Sequence, residues 1–226
     1  MCGRFALLTT NEGLAQAFGL AADNMMSIPE AVPRYNIAPT QPVAAVRLDK
    51  QGERELTFFR WGLIPSWAKD ISFGSRLINA RSETVAEKPS FRSAFKRRRC
   101  LIPASGFFEW QKIDGRKQPI YIHPRDEGIF ALAGLWEQWH DPEGGLLQSC
   151  TILTTTPNEL MEPIHNRMPV IIENEDFNMW LDPGDRPELG LHLCRPFVAA
   201  KMASYPVSTF VNNPRNDDVS CIRPLN

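Results

Sequence analysis

Short apolar runs bounded by turn residues recur along most of this chain, and the helical period surfaces only in short stretches. Residues 43–48 and 55–60 read as two strands around a Lys50-Gln51-Gly52 turn. Further strand-like runs follow at residues 100–103, 106–112, 120–123, 129–139 and 146–155, with turn signals at Asp114-Gly115 and across residues 142–145. Residues 11–20 carry a helical pattern that closes near Gly19. Residues 84–95, entered near Ser82 and disturbed by Pro89, predict a second helix, and residues 158–164 and 176–181 predict two short ones, with a strand at 169–172 between them. Four prolines, Pro29, Pro33, Pro39 and Pro42, fall within residues 28–42 and predict an irregular stretch there. Many unevenly spaced strands with few short helices indicate an α+β chain. The expected architecture is one mixed domain over residues 1–226, built on a curved or barrel-like, mostly antiparallel sheet with short flanking helices.

Composition adds limits. The 226 residues, 43% hydrophobic and 23% charged, suit a globular chain with ample length for a core. No apolar run approaches the ~20 residues of a membrane span, and no charged-then-apolar leader opens the chain. The five cysteines (2, 100, 150, 194 and 221) are odd in number and widely spaced, without Cys-x-x-Cys. That argues for reduced thiols in a cytoplasmic setting and against a zinc site, and no cofactor is implied. The net charge is only −1, yet eleven basic and four acidic residues lie between Arg54 and Arg99, ending in Lys96-Arg97-Arg98-Arg99. Such asymmetry suits a basic surface facing a polyanion, or simply a solvated edge.

The candidate chemistry begins at Met1-Cys2-Gly3-Arg4. Removal of the initiator methionine, expected before so small a residue, leaves Cys2 with a free α-amine beside a thiol. The amine has an ordinary pKa of ~7.7–8.0 and is partly neutral at physiological pH, unlike a lysine at ~10.4. The thiol titrates near ~8.5, and a neighbouring cation is expected to lower it. Together the two nucleophiles make a reagent for carbonyl groups. Four polar islands accompany them: Arg34-Tyr35-Asn36-Ile37-Ala38-Pro39; Trp61-Gly62-Leu63-Ile64-Pro65-Ser66-Trp67 with Asn79-Ala80-Arg81-Ser82-Glu83; Gly106-Phe107-Phe108-Glu109-Trp110; and Pro163-Ile164-His165-Asn166-Arg167-Met168-Pro169. Taken singly, each also fits a structural role. Trp67 fits a core, Asn79 a turn, His165 a loop, and Glu109 the solvent face of a strand opposite Phe108 and Trp110.

Taken together, these motifs resemble those of the SRAP (SOS response-associated peptidase) family of abasic-site-processing proteins. The resemblance runs over essentially the whole chain, to the closing Pro206-Val207-Ser208 and Val211-Asn212. It implies a single α/β domain whose processed N-terminal cysteine reacts with abasic sites in single-stranded DNA. By resemblance Cys2 is the nucleophile, and Asn79, Glu109 and His165 match the other catalytic positions. Arg4, Asn36, Pro39, Trp67, Arg81, Thr154 and Arg167 fall where relatives contact DNA. No metal, cofactor or membrane is implied, and the chain is expected to be monomeric, cytoplasmic, and at the nucleoid when engaged on DNA. The chain departs from some relatives at Ala68, Pro89 and Ser105, where an aromatic residue, an Arg and an Asp would be usual. The first two bear on DNA contact and the third on the approach to Glu109.

On this reading the amine adds to the ring-opened sugar aldehyde as a Schiff base, and the thiol closes a thiazolidine that spares the strand from β-elimination. Glu109, if buried, serves proton transfer at the amine, His165 donates to the ring oxygen, and Asn79 orients. The resemblance also implies associated lyase activity and a peptidase (hydrolase) activity that would amount to autoproteolytic release of Met1 or self-release from DNA-linked adducts. An N-terminal-nucleophile amidohydrolase fits less well, since the chain has no Asn-Gly pair and no room for a partner domain. A non-catalytic single-strand DNA damage-binding module would use Trp67 and the basic segment but leave Cys2 and Glu109 without a task.

Overall fold

A computed structural model describes residues 2–21, 32–126, 128–184 and 187–225. Five strands close on themselves: β3 (Pro42–Leu48), β4 (Arg54–Trp61), β6 (Arg99–Ala104), β9 (Phe130–His140) and β10 (Leu146–Thr155). β3 pairs with β4 and β6, β6 with β9, and β9 with β10, all antiparallel, and β10 returns to β4 in parallel register at Ser149 and Arg60. The barrel interior is tightly filled. A Cβ on Gly134 would lie 2.7 Å from Cys100 Sγ, so β9 has no room for a side chain there. The short strands β5 (Asn79–Arg81) and β11 (Met168–Pro169) extend the sheet from β10, and β12 (Ile171–Ile172) extends it from β9.

A second sheet is wholly antiparallel. Its order is β13 (Met202–Pro206), β8 (Arg116–Pro124), β7 (Gly106–Ile113), β1 (Arg4–Leu7) and β2 (Arg34–Ile37). Phe5, Ile37, Phe107 and Ile122 from this sheet join barrel residues such as Trp61, Leu101 and Leu132 in one continuous core. The opposite face of the sheet, with Phe108 and Tyr121, is covered by Val207, Val211 and Cys221 from the C-terminal segment. β7 is therefore buried on both faces over its first half, which explains its near-continuous apolar sequence.

The helices are short: α1 (Asn11–Phe18), α2 (Arg92–Arg97), α3 (Phe177–Leu181) and α4 (Pro187–Leu193). α1 begins at Thr10, whose hydroxyl accepts the Gly13 amide at 3.2 Å, and ends at Gly19 in the left-handed region, φ 61°. Its buried face, Leu14 and Phe18, seats on the core, and Phe18 stacks on Phe177 at 5.3 Å between centroids.

The α+β class, the antiparallel predominance, the barrel and the short helices agree with the sequence pattern. Several elements differ. The stretch 28–42 contains β2, because Pro33 and Pro39 flank the strand rather than interrupt it; residues 28–31 of that stretch lie outside the described residues. The helix expected at 84–95 is a 3-10 turn at Ser82–Thr84, followed by α2 only after Pro89. The segment 158–164 is a set of turns, with the Asn158 side chain accepting the Met161 amide at 3.0 Å and so competing with helix formation. The strand expected at 169–172 is split at Val170, its halves pairing with β10 and β9. β1, β5, β13 and α4 were not indicated by the pattern. Among the described residues no helix is long and apolar enough to cross a membrane.

Candidate active site

Cys2 lies in the core that the two sheets share. Antiparallel pairing sets Arg4 opposite Phe108, so Glu109, one residue further along β7, lies towards the residues before β1. Cys2 is fully buried there. Its carbonyl accepts a hydrogen bond from Asn79 Nδ2 at 2.9 Å. Asn79 opens β5, held in register by pairing with Ile152 of β10 and preceded by Ile78, whose carbonyl accepts the Trp61 indole N–H at 2.9 Å. The loop between Gly62 and β5 is pinned by a close backbone approach. A Cβ at Gly62, where φ is +120°, would sit 2.6 Å from the Gly74 carbonyl oxygen. The loop carrying His165 is tied to β7 by Gln111 Nε2, which donates to the Pro163 carbonyl at 3.0 Å. Asn79 and Glu109 thus converge on Cys2, and the His165 loop is tied to the strand that carries Glu109.

Glu109 shares the inward face of β7 with Phe107 and is only 2% exposed, so it is not the solvent-facing strand residue that alternation allowed. Burial pushes its carboxyl up to about 7, against the pull of the positively charged chain terminus. The Cys2 thiol moves opposite to the sequence expectation. Burial, reinforced by the Glu109 charge, raises it well above the ordinary thiol range, and the cationic terminus offsets only part of this. His165 is half-buried, and burial, the cationic terminus and Arg167 outweigh the nearby Arg167 carbonyl, which favours the charged ring, and lower its pKa. Burial thus disfavours the charged form of all three groups, the thiol, the carboxyl and the imidazole.

The residues matched to DNA contact divide into two groups. Trp67, 54% exposed and edge-on to Phe73 at 5.3 Å, Arg81 at the end of β5, and the half-exposed Pro39 before β3 reach the surface. Arg76 adds a guanidinium 4.7 Å from the Phe73 ring, and neither Phe73 nor Arg76 was singled out by the sequence, since their grouping with Trp67 depends on the loop geometry. The others have internal partners. Asn36 is fully buried and donates to the carbonyls of Val211, Asn213 and Asn216 at 3.1, 3.1 and 2.7 Å. Arg4 donates to Asn36 Oδ1 and to the Val211 carbonyl, both at 2.8 Å. Asp217 accepts the Arg34 side chain and the Tyr35 and Asn36 amides, completing a network that no local sequence signal revealed. Thr154 is fully buried, and Arg167 is held by Glu83 and Thr154.

The basic run is likewise partly internal. Arg99 is 5% exposed and donates to the Phe95, Trp180 and Asp182 carbonyls, and Arg98 pairs with Glu137 at 2.7 Å. Of the departures, Ala68 is buried against Ile64 and Trp139, and Ser105 Oγ accepts the Leu8 amide at 2.9 Å, stitching the entry of β7 to the end of β1.

A family model described as SOS response associated peptidase (SRAP) matches residues 1–214. The abasic site processing protein YoqW of Bacillus subtilis is 44% identical over 224 residues, covering 98% of this chain and 99% of that protein. The abasic site processing protein HMCES of Gallus gallus is 36% identical, covering 85% of this chain and 66% of the longer relative. A crystal structure of a protein from Bacteroides thetaiotaomicron superposes with a TM-score of 0.87 at 28% identity, covering both chains completely.

Proposed function

The chain belongs to the SRAP family, and on that premise we propose that it processes abasic sites in single-stranded DNA by forming a thiazolidine crosslink through the amine and thiol of Cys2, exposed by removal of Met1. The observation that carries this reading is the buried Glu109 carboxyl, pushed up to about 7 and coupled electrostatically to the Cys2 thiol. A carboxyl near its midpoint both accepts and donates protons at neutral pH, as imine formation requires.

The steps balance without a redox partner. The Cys2 amine adds to the C1′ aldehyde, and the carbinolamine loses water to give an imine. The thiol then adds across the C=N bond, sulfur to carbon and proton to nitrogen, closing a five-membered ring with net loss of one water. Closure is intramolecular, where effective molarities reach ~10⁵ M or more. The raised thiol pKa means that a base must take its proton as sulfur attacks, and Glu109 is the group coupled to it. His165 donates to the sugar ring oxygen as the ring opens. Asn79 fixes the Cys2 carbonyl and so the direction of the nucleophiles. Exposed Trp67 offers a stacking surface and Arg81 a phosphate contact, with stacking worth ~1–3 kcal/mol per base. Without the thiol the imine would remain, and β-elimination would make the protein a lyase.

Intact-mass measurement of the crosslink tests the reading. The expected species is the protein lacking Met1 plus the oligonucleotide minus one water. An adduct that retains Met1 would rule the mechanism out.

A further inference from the structure

Arg167 and Glu83 form a feature that a simple phosphate-contact role leaves unexplained. The Arg167 side chain is only 11% exposed. Its two Nη atoms donate to both Glu83 carboxylate oxygens, at 2.5 and 2.9 Å, and one of them also donates to the Thr154 carbonyl at 2.5 Å. Thr154 is fully buried in β10 and registered against Arg81 and Pro169, so this anchor is rigid. A guanidinium held this way is poorly placed to meet a mobile DNA backbone.

The backbone of the same residue has a different partner. The Arg167 amide donates to His165 Nδ1 at 3.1 Å. The Arg167 carbonyl lies 3.3 Å from the same Nδ1. The shorter contact, from an amide that can only donate, favours a bare Nδ1 with the proton of the neutral ring on Nε2, whereas the other tautomer would donate to the carbonyl and set Nδ1–H against the amide N–H.

We propose that Glu83 is a positioning residue: by clamping Arg167 against Thr154 it holds the Arg167 amide on His165 Nδ1 and so presents His165 Nε2–H as the donor. Arg167 acts here through its fork geometry rather than as a point charge. Lysine could carry the charge but could not bridge Glu83 and Thr154 in the same way. The inference rests on the proposed role of His165 as proton donor, but the tautomer itself is a property of the DNA-free protein and is measured without any reaction.

The experiment is ¹⁵N NMR of the imidazole nitrogens in DNA-free protein. With four histidines in the chain, a His165→Ala spectrum identifies the resonances. Wild type should show protonated Nε2 and bare Nδ1. Glu83→Gln and Arg167→Lys should each give a mixture of tautomers, and single-turnover crosslinking should slow about ten- to a hundredfold. In Glu83→Gln, affinity for undamaged single-stranded DNA should stay near wild type. Glu83 is on the surface, so its variant should keep its melting temperature. A wild-type ring protonated on Nδ1, or an unchanged Nε2–H tautomer in both variants, overturns the proposal. Tighter DNA binding by Glu83→Gln with an unchanged tautomer also overturns it, since the clamp would then merely restrain a phosphate contact. Failure of wild type to crosslink abasic DNA would overturn the function proposed above and leave the tautomer result standing.

Discussion

Glu109 carries the sharpest physical consequences at the scale of single residues. Its carboxyl is raised from 4.5 to about 7 by burial. The folded protein therefore holds this proton more tightly than the unfolded chain does. The resulting stabilisation is complete below about 4.5 and is lost as pH rises through about 7. The shift corresponds to about 3 kcal/mol. Glu109→Gln removes it, so the variant should lose less stability than wild type between pH 4.5 and 8, as denaturant titrations at several pH values would show. Equal pH dependence in both proteins would mean that Glu109 is not protonated in the fold. The same substitution should slow crosslinking ~10²–10⁴-fold if Glu109 is the main base, with DNA affinity near wild type. The loss should shrink at high pH, where more amine is neutral unaided. Single-turnover rates against pH report this, and a wild-type rate and profile at every pH would reduce Glu109 to a packing residue.

Among the elements, the C-terminal segment matters more than its sequence suggests. Residues 211–217 supply three carbonyls to Asn36, two to Arg4 and a carboxylate to Arg34, and so lock β2 and β1 beside Cys2. Asn36→Ala should leave those buried carbonyls without a donor and cost about 1–3 kcal/mol in thermal or denaturant unfolding, along with slower crosslinking. A variant as stable as wild type that loses only DNA affinity would return Asn36 to the role its motif suggests. This network also shows where sequence reading stops. The β3–β4 hairpin, β9 and β10 were legible because their apolar runs flank recognisable turns. β1, β5 and β13 are three to five residues long and exist through partners far along the chain. The candidate groups around Cys2 were legible as motifs. That Arg4, Asn36 and Thr154 face inward was not, because a hydrogen bond such as Arg4 to Val211 spans 207 positions. The direction of the Cys2 thiol shift was misjudged for the same reason, since local charge is visible in the sequence and burial is not.

For the whole molecule, a barrel and a second sheet share one core, and Cys2 lies within it. With a net charge of −1, attraction to DNA must come from local exposed cations rather than the overall field. Affinity should fall with rising salt through counterion release, and Arg81→Ala should reduce the slope by about one contact. Binding indifferent to salt, or stronger for intact duplex than for single strands, would contradict this use of the surface. The central claim is that the amine and thiol of Cys2 act together, and the most direct measurement compares wild type with Cys2→Ala on abasic single-stranded DNA under denaturing electrophoresis. Wild type should give an adduct that survives denaturation with the strand intact. Cys2→Ala should give no such adduct, a borohydride-trappable imine and a cleaved strand. An equally stable adduct from Cys2→Ala would contradict the account.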